Sequence, residues 1–318
     1  MVTVQKIQHA QERLRGIALR TSLLRVVFRE GEVFLKPENL QPVGSFKLRG
    51  AYNKIASLSP EQRERGVIAY SSGNHAQGVA YAARALGCHA TIVMPDNSPQ
   101  LKLEKTKALG AEIVIVGPAS DERKARAEQL ATEHGYALIP PYEDEAIIAG
   151  QGTIGLEIVE DLPDVNTVLV PCGGGGMISG IGAAVKSLRP EARVYGVESE
   201  LAAKGKASFE AGHRVTFPAE ETSRTIADGL RAQSVGECNF EHIQHYVDGF
   251  IGVTEDEIRE SVRRLNLDAH LVAEPSGAVA TAAALFHREE FPADGKTVAI
   301  VSGGNIAPEM LKEILSQE

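Results

Sequence analysis

Short apolar runs alternate with longer amphipathic or small-residue stretches from about residue 66 onward. The apolar runs are nearly continuous in Val, Ile, Leu and Ala, as in strands buried on both faces of a parallel sheet. The predicted strands lie in GVIAY, HATIVMP, AEIVIVG, NTVLVPC, RVYGVES and KTVAIVS. The predicted helices lie in AQGVAYAARALG, QLKLEKTKAL, SDERKARAEQLATEHG, GMISGIGAAVKSL and EDEIRESVRRL, the last with a capping box formed by Thr254 and Glu257.

This alternation predicts an α/β fold with parallel or mixed sheets covered by helices. The strands are too numerous for one small sheet, so we expect two lobes. In such folds ligands bind at loops that follow the carboxyl ends of strands.

One stretch could be mistaken for a membrane span. Residues 166–185 include no charged side chain and are long enough to cross a bilayer. Pro171 and four consecutive glycines interrupt it, which would badly weaken a lone membrane helix. We therefore predict a strand, a glycine loop and a helix, and no membrane partner.

The composition narrows the class of protein. The chain has 318 residues, of which 43% are apolar and 24% charged, as expected for an ordinary α/β enzyme. A net charge of −9 argues against nucleic-acid binding, because nothing supplies a basic face for phosphates. The three cysteines, Cys88, Cys172 and Cys238, have no ligand-like spacing, and the N-terminus is polar, so we expect a cytoplasmic location.

The loop PCGGGGMISG is the most informative candidate site. Glycines between a strand and a helix let backbone amides surround an anion at the positive end of the helix. The dinucleotide pattern fails because Ser179 stands where a glycine is required, and no Gly-Lys-Ser/Thr follows for a nucleotide P-loop. The loop therefore predicts a phosphate site without a nucleotide signature, the alternative being a flexible turn.

Two other loops and one lysine complete the candidate set. The loop SSGNHAQG enters a helix, and its hydroxyls, Asn74 and helix amides would suit a carboxylate, although Ser72 or Asn74 could simply cap the helix. The loop SGGN is another predicted strand-to-helix turn. Lys47 follows a Gly-Ser-Phe turn and precedes a predicted helix, where it is either a nucleophile or an ordinary solvated lysine. A cofactor with both an aldehyde and a phosphate satisfies the set, and pyridoxal phosphate is such a cofactor.

With these motifs in order, the sequence resembles the fold-type II pyridoxal-phosphate enzymes, and within them the threonine/serine dehydratase and serine racemase group. The motifs are GSFKLRGA, SSGNHAQGVA, IAGQGT, PCGGGGMISG, TIADGL and SGGN. The Lys-Leu-Arg-Gly-Ala form is that of dehydratases and racemases, whereas related synthases tend to carry Lys-Asp-Arg. The resemblance implies a tryptophan synthase β-like fold with a large cofactor-binding domain, residues 1–47 plus 151–318, and a small substrate-side domain, residues 48–150.

The resemblance also assigns cofactor contacts. Lys47 would hold the cofactor covalently and act as the base on one face of the substrate α-carbon. Phe46 would flank the ring, Asn74 would hydrogen-bond its phenolic oxygen, and Ser302 would face the pyridine nitrogen. The phosphate would be bound by Gly173, Gly174, Gly175, Gly176 and Met177.

On the substrate side, the resemblance implies contacts from Ser71, Ser72, Asn74 and His75. The implied reaction converts a β-hydroxy amino acid, L-threonine or L-serine, to a 2-oxo acid and ammonia. Ser72 protonates the opposite face in racemases of the family but is also present in dehydratases. Serine or aspartate racemase, 3-hydroxyaspartate dehydratase and a non-catalytic ligand sensor are the alternatives. The register places Lys124, with Arg123 beside it, where racemases carry an arginine, which favours the dehydratase.

The resemblance leaves a divalent cation open. Where the family has a metal site, a glutamate, a carbonyl and an acidic residue bind the ion. Glu198 and the carbonyl of Ala202 match this pattern, but Lys204 stands where the acid is expected. We hypothesise that the Lys204 ammonium substitutes for the cation, the alternative being an exposed lysine beside a metal. The family is commonly dimeric or tetrameric, so a homodimer or homotetramer is expected.

Overall fold

The computed structural model describes residues 1–71, 73–98, 100–117, 120–292 and 295–316, apart from the side chains of residues 101, 120 and 121. The β-strands are β1 Leu24–Phe28, β2 Gly31–Pro37, β3 Val67–Tyr70, β4 Ala90–Pro95, β5 Glu112–Val116, β6 Ala137–Leu138, β7 Val165–Pro171, β8 Arg193–Ser199, β9 Gly249–Val253 and β10 Lys296–Val301. The first α-helices are α1 Val4–Leu14, α2 Lys47–Ala56, α3 Pro60–Arg65, α4 Asn74–Ala85, α5 Gln100–Ala108, α6 Ser120–His134 and α7 Glu145–Asp161. The others are α8 Gly176–Leu188, α9 Lys204–Ala211, α10 Ala219–Thr222, α11 Glu237–Tyr246, α12 Glu255–Leu267, α13 Pro275–Phe286 and α14 Pro308–Ser316.

The strands form two sheets. The larger has the order β1-β2-β10-β7-β8-β9 and is parallel except for the antiparallel pair β1 and β2. The smaller has the order β5-β4-β3-β6 and is parallel throughout. The predicted α/β class with parallel and mixed sheets is confirmed. All strands of the smaller sheet lie within residues 48–150, and the proposed domain boundaries remain a prediction.

Local sequence signals account for several helix and strand ends. The uncharged stretch after residue 165 forms β7, a glycine loop and α8, as predicted. Thr254 accepts a hydrogen bond from the Glu257 backbone, and the Glu257 side chain accepts one from the Thr254 backbone, which confirms the capping box of α12. In the described part of the chain, no helix is long and apolar enough to cross a membrane.

Helix α13 lies in the centre of the larger lobe. It begins at Pro275, is rich in alanine, and has a continuous run of buried residues. Small side chains let the helix pack closely on β10, β7 and α12. Its N-terminus and the carboxyl ends of β7 and β10 therefore come together at one edge of the sheet.

A buried group of four charged side chains anchors α2, the helix that begins at Lys47. The Arg49 guanidinium donates two hydrogen bonds to Glu38 and two to Glu157, at 2.6 to 2.9 Å. Lys36 Nζ donates to Glu157 Oε2 at 2.6 Å, and all four side chains are at most 6% exposed. Because Glu38 follows β2 and Glu157 lies on α7, this Arg49 network ties the first turn of α2 to the larger lobe.

Candidate active site

One cavity of about 330 Å³ lies where β3, β7 and β10 end. The predicted residues that line it are Phe46, Lys47, Ser71, Asn74, His75, Gly173, Gly174, Gly175, Gly176, Met177 and Ser302. Ser72 lies outside the described residues. Glu198 and Ala202 are not among the lining residues. The structure thus brings together residues from three loops that are far apart in sequence.

Lys47 projects into this cavity from the start of α2. The preceding segment is fixed to the SGGN loop, because the Phe46 amide donates to the Ser302 carbonyl at 3.1 Å and the Gly304 amide donates to the Gly44 carbonyl at 2.9 Å. Lys47 Nζ donates to the Pro141 carbonyl at 2.7 Å and lies 5.1 Å from the centre of the Phe46 ring. Burial lowers the pKa of this amine from 10.5 to about 8. An amine in this position is suited to act as a nucleophile and base.

The lowered pKa of Lys47 predicts a pH dependence. A neutral amine attacks an aldehyde, and at pH 7 about one Lys47 in ten would be neutral, against roughly one in three thousand at the ordinary value. The rate at which cofactor-free protein takes up an aldehyde cofactor should therefore rise with pH and level off above about pH 8. Stopped-flow absorbance from pH 6 to 10 measures it. A rate that rises without levelling until about pH 10.5 would contradict the lowered pKa.

The glycine loop presents unpaired backbone amides to the cavity. Among the residues that the structure describes, no protein group accepts a hydrogen bond from the amides of Gly174, Gly175 or Gly176. Gly175 has a φ of 96°, a left-handed conformation that favours glycine, and α8 begins at the next residue. Free amides at a helix N-terminus form a site for an anion. This arrangement matches the predicted phosphate cradle.

Asn74 is held in one orientation by two neighbours. Its Nδ2 donates to Glu274 Oε1 at 2.5 Å, and its Oδ1 accepts from Asn305 Nδ2 at 2.8 Å. Burial, and then the nearby charge of Asp228, raises the pKa of Glu274 to about 7. Asn74 can therefore offer its remaining Nδ2 hydrogen to an acceptor in the cavity.

The other predicted polar residues have distinct places in the geometry. Ser302 is 4% exposed, and its hydroxyl donates to the Ser276 carbonyl at 3.3 Å. His75 Nε2 lies 2.9 Å from the Ile139 carbonyl, and burial, with the charge of Lys47, lowers the pKa of His75 to about 3. The His75 ring is thus neutral and unsuited to proton transfer at neutral pH. Ser71 Oγ accepts from the Gly73 amide at 3.2 Å.

The cavity also contains residues that the sequence pattern did not indicate. Tyr142 packs so closely on the glycine loop that a Cβ atom at Gly174 would lie 2.3 Å from its ring. Lys102 and Asp228 form an ion pair of 3.0 Å at the cavity wall. Arg123 lines the cavity, whereas Lys124 is 57% exposed beside Glu128, so the register-based expectation for Lys124 is corrected by one residue. No local signal distinguishes these side chains from surface residues.

Glu198 and Lys204 lie behind the glycine loop. Lys204 Nζ is 2.7 Å from Glu198 Oε1, and the two side chains are 1% exposed or less. The Ala202 carbonyl is not among the acceptors of this ammonium in the described part of the chain. The described residues hold one other group of close metal-ligating side chains, His287, Glu289 and Glu290, away from the cavity lining.

Comparison with known proteins decides the family. The family model described as pyridoxal-phosphate dependent enzyme matches residues 19–303. The chain belongs to the fold-type II pyridoxal-phosphate-dependent enzymes. Lys47 and the glycine cradle fit this cofactor, because an amine of lowered pKa and a cluster of unpaired amides share one cavity.

Individual members of this pyridoxal-phosphate family match over nearly the whole chain. L-threonine ammonia-lyase of Thermotoga maritima is 46% identical, over 100% of this chain and 79% of that protein. The crystal structure of a threonine deaminase from the source abbreviated T.th. has a TM-score of 0.90 and 40% identity, over 96% of this chain and 99% of that one. The structure of maize serine racemase has a TM-score of 0.92 and 34% identity, over 98% and 96% of the two chains.

Proposed function

We propose that the protein is a pyridoxal-phosphate-dependent dehydratase that converts L-threonine or L-serine to a 2-oxo acid and ammonia. The observation that carries this proposal is the placement of Lys47, with its lowered pKa, beside the glycine cradle in one cavity. The similarity to a threonine ammonia-lyase and a threonine deaminase supports this substrate class.

The lining residues have complementary tasks in this proposal. Lys47 would hold the cofactor, with Phe46 beside the ring. Asn74 would donate to the ring oxygen and Ser302 would face the ring nitrogen. When bound, pyridoxal phosphate supplies an electron sink that weakens the bond between the substrate α-carbon and its hydrogen. The phosphate would be held by Gly173, Gly174, Gly175, Gly176 and Met177.

The protein's own groups would then orient the substrate and move a proton. Amides at the start of α4, from Ser71 to His75, would bind the substrate carboxylate through the positive end of the helix. The neutral amine of Lys47 would take the α-proton. The net reaction removes water across the Cα–Cβ bond and then exchanges the amino group for oxygen from water, so a 2-oxo acid and ammonia leave. The role of Ser72 as a second acid or base stays a prediction.

Racemisation is the second candidate. Arg123 lines the cavity, as a residue that holds a second charge or a carboxylate would, and maize serine racemase has the same fold. The lower identity to that racemase, 34% against 46% for the ammonia-lyase, favours the dehydratase. The same cavity would accept 3-hydroxyaspartate, the third substrate class.

The test is the product formed by purified, cofactor-loaded protein from L-threonine, L-serine and the 3-hydroxyaspartate isomers. Both 2-oxo acid and the chirality of the residual amino acid are measured. We expect 2-oxo acid from L-threonine or L-serine at least about tenfold faster than any D-isomer, a margin of about 1.4 kcal/mol in activation free energy. D-isomer that outpaces 2-oxo acid would make the protein a racemase, and bound cofactor without turnover would make it a ligand sensor.

Three coarser properties complete the proposal. We propose a cytoplasmic homodimer or homotetramer, with a large domain of residues 1–47 and 151–318 and a small domain of residues 48–150. The two sheets support this division, because their strands fall on opposite sides of both boundaries. The proposal includes no divalent cation, because the Lys204 ammonium lies against Glu198.

A further inference from the structure

The Lys204 ammonium lies in a closed cage of oxygen atoms behind the glycine loop. Besides its ion pair with Glu198, Nζ donates to the Cys172 carbonyl at 3.1 Å and to the Leu230 carbonyl at 3.0 Å. An ammonium has three N–H donors, so each donor here has one acceptor. The lysine is fully buried and is not among the residues that line the cavity. Its contacts therefore act on the backbone behind the loop.

The carboxylate of Glu198 is also fully occupied. Its Oε1 accepts from the Gly205 amide at 3.1 Å, and its Oε2 accepts from the Lys206 amide at 2.9 Å, both in the first turn of α9. One carboxylate and two carbonyls are the oxygen donors that a hard cation prefers. A divalent ion does not fit among them, because the ammonium already occupies their centre.

The two carbonyls belong to the two segments that form one wall of the cavity. Cys172 directly precedes Gly173, the first glycine of the loop, and Leu230 directly follows Gly229. These segments touch, since a Cβ atom at Gly173 would lie 3.1 Å from the Gly229 carbonyl oxygen. A cation between their carbonyls fixes the spacing of the wall.

We propose that Lys204 is a built-in cation that takes the place of a divalent ion in this protein. It is a positioning residue, because it holds the end of β7 against the Asp228–Leu230 turn and thereby orders the glycine loop for the cofactor phosphate. The inference rests on the proposed cofactor site but not on the identity of the substrate.

The first test compares the wild-type protein with Lys204→Met, which keeps the length of the side chain and removes its charge. Lys206→Met is the matched control, because it removes a lysine from the same helix turn and leaves the cage intact. Melting temperature of the cofactor-free protein and cofactor affinity are measured with and without Mg²⁺ or Ca²⁺ after chelation. We expect Lys204→Met to melt roughly 5–15 °C lower, as when a buried ion pair loses one partner. We also expect its cofactor affinity to fall by about tenfold or more, while Lys206→Met and the cation response of the wild type stay unchanged.

The second test is Lys204→Asp. The shorter side chain leaves room for an ion and adds a second carboxylate, so Mg²⁺ or Ca²⁺ should raise the melting temperature and restore cofactor affinity. Three results would overturn the inference: a wild-type protein stabilised by micromolar Mg²⁺ or Ca²⁺, a Lys204→Met variant that binds cofactor as tightly as Lys206→Met, or a folded Lys204→Asp variant with no cation response. If Lys204→Asp does not fold, Lys204→Met and the wild-type titration decide the question. Failure of the proposed function would appear as absent turnover with these readouts unchanged.

Discussion

Lys47→Ala is expected to lower 2-oxo acid formation from the preferred hydroxy amino acid by at least about a thousandfold. The substitution removes both the amine that would hold the cofactor and the base that would take the α-proton. The side chain is also the nucleophile whose pKa burial lowers to about 8, so a more distant lysine cannot replace it at neutral pH. The initial rate of 2-oxo acid release at saturating cofactor is the measurement.

Lys54→Ala provides the control on the same helix. Lys54 forms an ion pair with Asp144 and is 22% exposed outside the main cavity, so its removal should leave the rate within about twofold, as for an exposed pair. Borohydride reduction followed by peptide mapping should place the cofactor on Lys47 in the wild type. Label on another lysine, or a Lys47→Ala variant with near-normal turnover, would overturn the assignment.

Gly174→Ala is expected to weaken cofactor binding by about 5- to 150-fold, the equivalent of 1–3 kcal/mol of overpacking. The new Cβ atom would lie 2.3 Å from the ring of Tyr142, so either the ring or the loop must move. Movement of the loop would turn the free amides away from the phosphate. Equilibrium dialysis of cofactor against the cofactor-free variant gives the affinity.

The contact with Tyr142 supplies the matching rescue. Tyr142→Ala in the Gly174→Ala background removes the ring atoms that the new Cβ atom would meet, and should recover much of the lost affinity. The single variant Tyr142→Ala completes a double-mutant cycle. An affinity loss in the double variant equal to the sum of the two single losses would show that the clash is not the cause.

Much of the fold follows from periodicity, and the exceptions have physical reasons. The strands β4, β7, β8 and β10 are continuous or nearly continuous apolar runs, so their pattern alone predicts buried parallel strands. The hairpin of β1 and β2 was not predicted, because charged residues interrupt it. One of them, Lys36, is buried only because Glu157 pairs with it from 121 residues away. A local pattern does not reveal such a partner.

The candidate site was predictable to the extent that its residues lie in loops after strands. Lys47, Asn74, the glycines and Ser302 all reach one cavity because three parallel strands end there. Tyr142 and Arg123 were harder to place, because their contribution depends on which distant segment they face. Ser72 lies outside the described residues, so its predicted role stays a prediction.

The Arg49 network has a consequence for how this sequence can change over evolutionary time. Its two positive and two negative side chains balance inside the protein, and each is hydrogen-bonded to another member. Loss of any one leaves a buried charge unpaired, which in proteins is destabilising by about 3–5 kcal/mol. Neutral drift at these positions is therefore closed to single steps, and the helix that presents Lys47 is inherited as a unit with residues from β2 and α7.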